Sequence, residues 1–227
     1  MQPRVPHVHV EPEGELWAVG DIHGCLDLYR QIEARIIARG LPATVVILGD
    51  MIDRGPDSRG VIDHILSTPP EGLTRMALLG NHEDMALRFI DNPVASADWL
   101  GWGGREMIRS YLPDNGESDP ARLAGDLVRA MPDQHLAFLR SLPVIAFAGR
   151  WVLCHTGGGP EVPLTRQQKR DLVWTRYGEV PDLLPPADLD GRVVVHGHVP
   201  VSDVGPVGWR LNLDSGAYAT GRLTAAR

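Results

Sequence analysis

Cysteine is nearly absent: Cys25 and Cys154 are the only two in 227 residues. Two thiols make no disulfide framework, and they fit a reducing compartment. Long apolar runs are missing too, since no stretch approaches the roughly 18–20 residues of a membrane-spanning helix. The first fifteen residues carry Pro3, Pro6 and Pro12 together with Glu11, Glu13 and Glu15. They lack a basic start followed by an apolar stretch and do not read as a signal peptide, so a cytoplasmic location is expected. An excess of positive charge is also lacking. Lys and Arg number 22 against 29 Asp and Glu, a net charge of −7. Nucleic acid and anionic membranes both select basic surface, and neither is expected as a partner. No period of about 20–50 residues repeats, which excludes a solenoid.

What is present is globular. A hydrophobic content of 43% with 22% charged residues excludes a disordered chain. At about 150 residues per domain the default is one domain, and a chain this long buries roughly 70% of its unfolded surface. We expect a monomer with a single domain over 1–227, residues 1–14 forming an extended N-terminal segment and 97–142 a helical insertion. The 25 glycines and 19 prolines point to many loops.

The first half alternates. Leu16–Val19, Val45–Leu48 and Met76–Leu79 are short apolar runs, each read as a buried strand and each followed by glycine. Between them, Leu28, Ile32, Ile36 and Ile37 keep helical spacing until Gly40, and Val61–Leu66 sits in a helix ended by Pro69-Pro70. Asn81 is positioned to cap a helix running through Glu83, Leu87 and Ile90 to Pro93. Such alternation predicts a parallel sheet with crossover helices. Three helices follow, marked by Met107/Ile108/Leu112, by Leu123/Leu127/Val128 and by His135–Leu142. Val144–Ala148 and Trp151–Cys154 flank Gly149-Arg150 as a hairpin. Strands are then expected at Arg192–His196, Val201–Val204, Trp209–Leu213 and Ala217–Ala225. The fold class is therefore α/β: two packed sheets with helices outside and the site at the strand ends.

The chemistry gathers at those strand ends, where sites of open α/β sheets collect. Three early strands deliver Asp21, Asp50 and Asn81, each directly after a glycine that permits a tight turn. His23 shares the side of Asp21 because residues i and i+2 of an extended segment point the same way. Two later strands lead to His155 and to His196-Gly197-His198. Asp21, His23, Asp50, Asn81, His155 and His198 supply oxygen and imidazole donors without thiolate. Such donors suit Mn²⁺, Fe, Zn²⁺ or Ni²⁺. Six ligands exceed one four-coordinate ion and suit two ions sharing a bridging carboxylate, the standard arrangement for attack on phosphorus.

Gly20-Asp21-Ile22-His23-Gly24, Gly49-Asp50-Met51-Ile52-Asp53-Arg54-Gly55 and Gly80-Asn81-His82-Glu83 resemble the three signatures of the PPP metallophosphoesterases. The likeness continues through Cys154-His155, Val173-Trp174-Thr175-Arg176, Gly197-His198-Val199-Pro200 and Leu213–Ala217, nearly the whole chain. It implies the layered metallophosphoesterase architecture, a two-sheet β-sandwich flanked by helices. It implies two divalent ions, Mn²⁺ first among them, one held by Asp21, His23 and bridging Asp50, the other by Asp50, Asn81, His155 and His198. Arg54 and Arg176 match the arginines that hold phosphate, as a planar guanidinium can. His82 matches the acid that protonates the leaving group, oriented by Asp53. The activity implied is that of a serine/threonine protein phosphatase of the compact bacterial and phage type. It acts on a phosphorylated protein or peptide through a metal-bridging hydroxide. The alternative on the same scaffold is a symmetrical dinucleoside tetraphosphate hydrolase. Asp53 and Glu83 stand where that branch usually has Ala and Asp, which favours the phosphatase. A dead phosphopeptide-binding module is disfavoured because every ligand and the acid are present.

Two segments depart from the family pattern. Trp102 stands where relatives commonly carry Asn before Gly-Gly, and Gly157-Gly158-Gly159 is a glycine-rich stretch expected to be mobile. Both are expected along the substrate approach. His64 and His135 read as surface or packing residues, His7 and His9 as part of an edge strand, and Cys25 and Cys154 as small packing residues. The Trp17, Trp151, Trp174 and Trp209 set reads as core.

Overall fold

A computed structural model describes residues 5–159, 162–176 and 185–227. In chain order the elements are β1 (His7–His9), β2 (Glu15–Val19), α1 (Leu26–Arg39), β3 (Ala43–Ile47), α2 (Ser58–Leu66), β4 (Leu73–Ala77) and α3 (Asn81–Asp91). A 3₁₀ turn over Ala97–Trp102 precedes α4 (Gly104–Tyr111), α5 (Pro120–Ala130) and α6 (Asp133–Ser141). Then come β5 (Ile145–Ala148), β6 (Trp151–Cys154), α7 (Lys169–Trp174), β7 (Val193–His196), β8 (Pro206–Val207), β9 (Arg210–Asn212), α8 (Ala217–Thr220) and β10 (Ala225–Ala226).

The strands form two mixed sheets. One has the order β10-β2-β3-β4, with β2, β3 and β4 parallel as the alternation predicts and β10 antiparallel to β2. The other has the order β1-β5-β6-β7-β9-β8, with the β5–β6 hairpin antiparallel and β6, β7 and β9 parallel. The pleat sends alternate side chains to opposite faces. Ala18, Val46, Ala146, Leu153 and Val195 form a cluster to which both sheets contribute. Val19, Val45 and Ile47 instead join the larger cluster with Tyr29 and Ile36 of α1, Val61 and Ile62 of α2 and Phe89 of α3. A strand buried on both faces reads as the continuous apolar run seen in the sequence.

Four local expectations change. β4 begins and ends earlier than predicted: Leu78 N still donates to Ile47 O (2.9 Å), but Leu79 N has left for Pro143 O (2.8 Å). Asn81 is the first helical residue of α3 rather than its cap; Gly80 caps, and the Glu83 carboxylate accepts its N–H at 2.9 Å. Val201–Val204 forms no strand, because Val201 N bonds Asp214 O and Asn212 Nδ2 bonds Val199 O, across to the loop after β9. The stretch from Ala217 turns once as α8 between Gly216 and Gly221, both at φ +67°, before β10. β1 is the edge strand expected of His7 and His9, parallel to β5.

Buried polar links tie the helices to the sheet. Glu33 of α1 accepts from Arg75 of β4 at 2.6 and 2.8 Å and pairs with His64 Nε2 of α2 at 2.9 Å, while Arg75 Nη1 donates to the His64 carbonyl at 2.8 Å. His135 is fully buried, with Tyr111 of α4 on one ring nitrogen (2.8 Å) and Asp63 of α2 on the other (3.0 Å). Burial would raise the Glu33 pKa, but the hydrogen bonds from His64 and Arg75 and the Arg75 charge outweigh it and hold the carboxyl at about 2. Because the folded value lies below the ordinary 4.5, the linked stability is complete above that value and fades as pH falls through about 2. Glu33→Gln should cost about 3 kcal/mol near neutral pH, the scale for breaking a buried pair from one side. Urea titrations of both proteins should converge as pH drops from 5 toward 2; a gap that stays constant over that range contradicts the assignment.

Candidate metal centre

The chain leaves its strands abruptly around the site. His23, Asp50, Asp53, Arg54 and His198 all have φ between +46° and +76°, and Asp190 is the only other non-glycine with positive φ among the described residues. Such conformations cost on the order of 1–3 kcal/mol each and persist only where surroundings enforce them. For Asp50 the enforcing group is Glu83, which is fully buried. Its carboxylate accepts from the backbone N–H of Asp50 (2.9 Å), Met51 (2.8 Å), Ile52 (3.3 Å) and Gly80 (2.9 Å). That ties the loop after β3 to the start of α3.

The six expected ligands come together there. His23 Nε2 lies 3.6 Å from Asp50 Oδ2, and His155 Nε2 lies 3.3 Å from Asp50 Oδ1 and 3.0 Å from Asn81 Oδ1. His198 Nδ1 is 2.8 Å from the same Asn81 oxygen and 3.2 Å from His155 Nε2. The donor atoms of His23, Asp50 and His82 form one group within 4.8 Å, and those of Asp50, His155 and His198 form another. Asp50 belongs to both. Asp21 accepts the His198 N–H at 3.1 and 3.2 Å and would collide with any Cβ on Gly197.

The second ring nitrogens support a metal. His23 Nδ1 faces the Ile52 carbonyl at 2.8 Å and His155 Nδ1 the Leu48 carbonyl at 2.9 Å. Each therefore carries a proton there and turns its other nitrogen inward, the usual outer arrangement of a ligating imidazole. Charge tells the same story. Burial pushes the His23 and His198 pKa values down to about 3 and lifts Asp21 well above the carboxylate range, helped by the neighbouring Asp214. Burial opposes charge on Asp50 as well, yet His155, His82 and His23 hold its carboxyl well below the ordinary value. Burial would lower His155, but Asp50 and Asp21 push it up to about 10, so that without a cation a proton holds the inward nitrogen and a divalent ion would have to displace it. Converging ring nitrogens and crowded carboxylates fit divalent cations.

His82 lies against this cluster with a partner of its own. Its Nδ1 is 2.7 Å from Asp53 Oδ2, and its Nε2 is 3.9 Å from Asp50 Oδ2. Burial lowers His82 to about 4 and raises Asp53 well above its ordinary range. Asp53 also accepts the Trp99 indole N–H at 2.7 Å, and its backbone N–H bonds Ser58 Oγ. Outside lies a cleft of about 320 Å³ whose walls include Arg54, Arg88, Trp102, Trp174 and Arg176. The Arg54 guanidinium sits 4.7 Å over the Tyr218 ring, which also meets His23 edge-on.

All ten expected site residues thus gather around the cluster or its cleft, and Trp102 lines the approach as expected. Trp174, expected in the core, is half-buried and lines that cleft too. The glycine stretch lies elsewhere than expected. Gly159 is clasped by the buried Gln167 side chain at 2.6 and 2.7 Å, and Gly157–Gly159 is not in the cleft wall. Sequence reasoning missed Trp99, Tyr218, Asp84 and the role of Glu83. Asp84 accepts from Lys169 (2.6 Å), Arg88 (2.8 Å) and Trp174 (3.1 Å), and so joins α7, which leads to Arg176, to α3.

Gly80 abuts Asp50 so closely that a Cβ would overlap both Asp50 Oδ1 and the Asp50 nitrogen. Gly80→Ala should therefore cost about 1–3 kcal/mol and reduce divalent-metal uptake. Thermal unfolding with elemental analysis checks both, and wild-type values for both contradict the packing described.

The calcineurin-like phosphoesterase model matches residues 15–221. The bis(5'-nucleosyl)-tetraphosphatase PrpE [asymmetrical] of Bacillus subtilis is 27% identical, over 92% of this chain and 88% of that one. Its namesake from Bacillus anthracis is 24% identical over the same shares. Among solved structures, a candidate diadenosine tetraphosphatase superposes with a TM-score of 0.68 at 23% identity, covering 98% of this chain and 93% of that one. A Saccharomyces cerevisiae serine/threonine phosphatase similar to human PP5 gives 0.55 at 15% identity, covering 94% and 72%. With two mixed sheets, the buried histidine–aspartate cluster and a match over most of its length, this chain belongs to the calcineurin-like phosphoesterases, hydrolases of phosphate esters.

Proposed function

We propose that the protein hydrolyses dinucleoside tetraphosphates with two divalent ions, Mn²⁺ for preference, in the cytoplasm. The observation that carries this reading is the likeness, over about nine-tenths of both chains, to relatives named tetraphosphatases. It reverses the order of the two activities expected from the motifs: Asp53 and Glu83 do not outweigh a likeness along the whole chain. Those relatives are named for asymmetrical cleavage, and the same outcome is proposed here in place of the symmetrical one. The cleft adds chemical support. Three guanidiniums, Arg54, Arg88 and Arg176, line it, more positive charge than one phosphate monoester requires.

The proposed ligands are Asp21, His23 and Asp50 for one ion and Asp50, Asn81, His155 and His198 for the other. When bound, such ions polarise the phosphoryl group and acidify water. Arg54 and Arg176 hold the phosphate oxygens and stabilise the charge that builds on them. His82 Nε2 faces the departing oxygen and protonates it; with the free imidazole held at about 4, it takes up that proton as the negative charge of the phosphate arrives, while Asp53, on Nδ1, fixes tautomer and orientation.

The His82–Asp53 pair at 2.7 Å favours a second reading, protein phosphatase activity, because a serine alkoxide needs protonation far more than a nucleotide phosphate does. Incubating the Mn²⁺-loaded enzyme with diadenosine tetraphosphate and separating the products tests the proposal. ATP and AMP are expected; no nucleotide product overturns it, and two ADP overturns the asymmetry. His82→Asn should cut turnover of a phosphoserine peptide by about 10²–10⁴ and that of p-nitrophenyl phosphate clearly less, with both metals retained. Equal losses together with loss of one ion would make His82 a ligand. Asp50→Asn should weaken metal binding more than His23→Ala, as calorimetric titration with Mn²⁺ would show; the opposite order refutes the bridge.

A further inference from the structure

The 3₁₀ turn over Ala97–Trp102 carries two tryptophans with different surroundings. Trp99 is buried, packed on Phe89 and bonded to Asp53. Trp102 keeps 53% of its surface open and is the one exposed tryptophan among the described residues. It lines the cleft that also holds Arg54, Asn81, His82 and Arg176. Its place is fixed by the next residue. Gly103, at φ +111°, donates to Trp99 O and accepts the Arg54 N–H at 3.2 Å, and a Cβ there would come within 2.6 Å of the Arg54 nitrogen. The indole is therefore one residue from a peptide locked against the phosphate-side arginine. A large ring left half in water at that place has apolar area that a ligand would cover.

We propose that Trp102 is the stacking platform for one nucleobase of the substrate, and so the residue that separates nucleotides from other phosphates. This rests on the tetraphosphatase reading. A base presents a flat π-face that stacks on an indole whatever its identity. The polyphosphate joining that base to the reacting phosphorus meets guanidiniums in the same cleft. Arg88 is the additional one, anchored by Asp84 at 2.8 Å with 57% of its side chain exposed. Asp98, also in the cleft wall, offers an acceptor for ribose hydroxyls.

The test compares inhibitors of diadenosine tetraphosphate hydrolysis by the Mn²⁺-loaded enzyme. ATP carries a base; inorganic tripolyphosphate carries the same phosphate chain without one. Trp102→Ala should lower kcat/KM for the dinucleotide about tenfold, chiefly through KM, within the range that stacking of one base supplies. It should also raise the ratio of the ATP to the tripolyphosphate inhibition constant about tenfold. Trp102→Phe, which keeps a ring, should restore most of both, and Trp102→Leu, which keeps apolar bulk without a ring and should show the same losses as alanine, carries the comparison if the alanine variant unfolds. If the wild type cleaves the dinucleotide but the ratio does not move, the subsite is refuted and the tetraphosphatase reading stands. If the wild type leaves the dinucleotide intact while cleaving phosphopeptides, both fall.

Discussion

The site hangs on one buried carboxylate. Glu83 gathers four backbone N–H groups, three from the loop that follows β3 and one from the turn that follows the adjacent β4. Asp50 owes its left-handed backbone and inward side chain to that clamp, and the loop carrying Asp53 and Arg54 grows from the same anchor. Burial and the nearby Asp50 charge raise the Glu83 pKa to about 8, while His155 and the N–H groups of Met51 and Gly80 favour its charged, more strongly accepting form. The clamp is also a weak point, since a donor in place of either oxygen would face the N–H groups it now receives.

Electrostatics makes the cluster unsatisfactory as a purely protein assembly. Asp21, Asp50 and Asp214 lie near one another out of water, while burial strips His23 and His198 of their protons. Such a group tends to neutralise itself or take up cations. The inward nitrogens of His23 and His155, aimed by the carbonyls of Ile52 and Leu48, favour the second course. The Asp53–His82 pair stands beside this assembly with its own support from Trp99 and Ser58.

The parts of this legible in the sequence share a physical reason. Buried strands make continuous apolar runs, and the residue after each terminal glycine lies at the sheet's end, so Asp21, Asp50 and Asn81 could be placed by local pattern, as could His155 directly after its strand. The illegible parts are contacts across long separations or turns set by backbone alone. Trp99 reaches Asp53 across 46 residues and Lys169 reaches Asp84 across 85, with no local signal for either. Tyr218 was hidden because an apolar-leaning stretch read as strand, whereas Gly216 and Gly221 at positive φ fold it into one helical turn beside Arg54. Within Gly80-Asn81-His82-Glu83, Glu83 read only as a mark separating two activities; its role as clamp depends on the loop it faces.

Substrate choice is where sequence motif and whole-chain likeness pull apart, so the central claim is a ratio. The most direct measurement is kcat/KM for diadenosine tetraphosphate and for a phosphoserine peptide, side by side in one Mn²⁺ preparation. The account predicts that the dinucleotide is preferred by at least about 100-fold, a discrimination of nearly 3 kcal/mol. A preference for the phosphopeptide would contradict it.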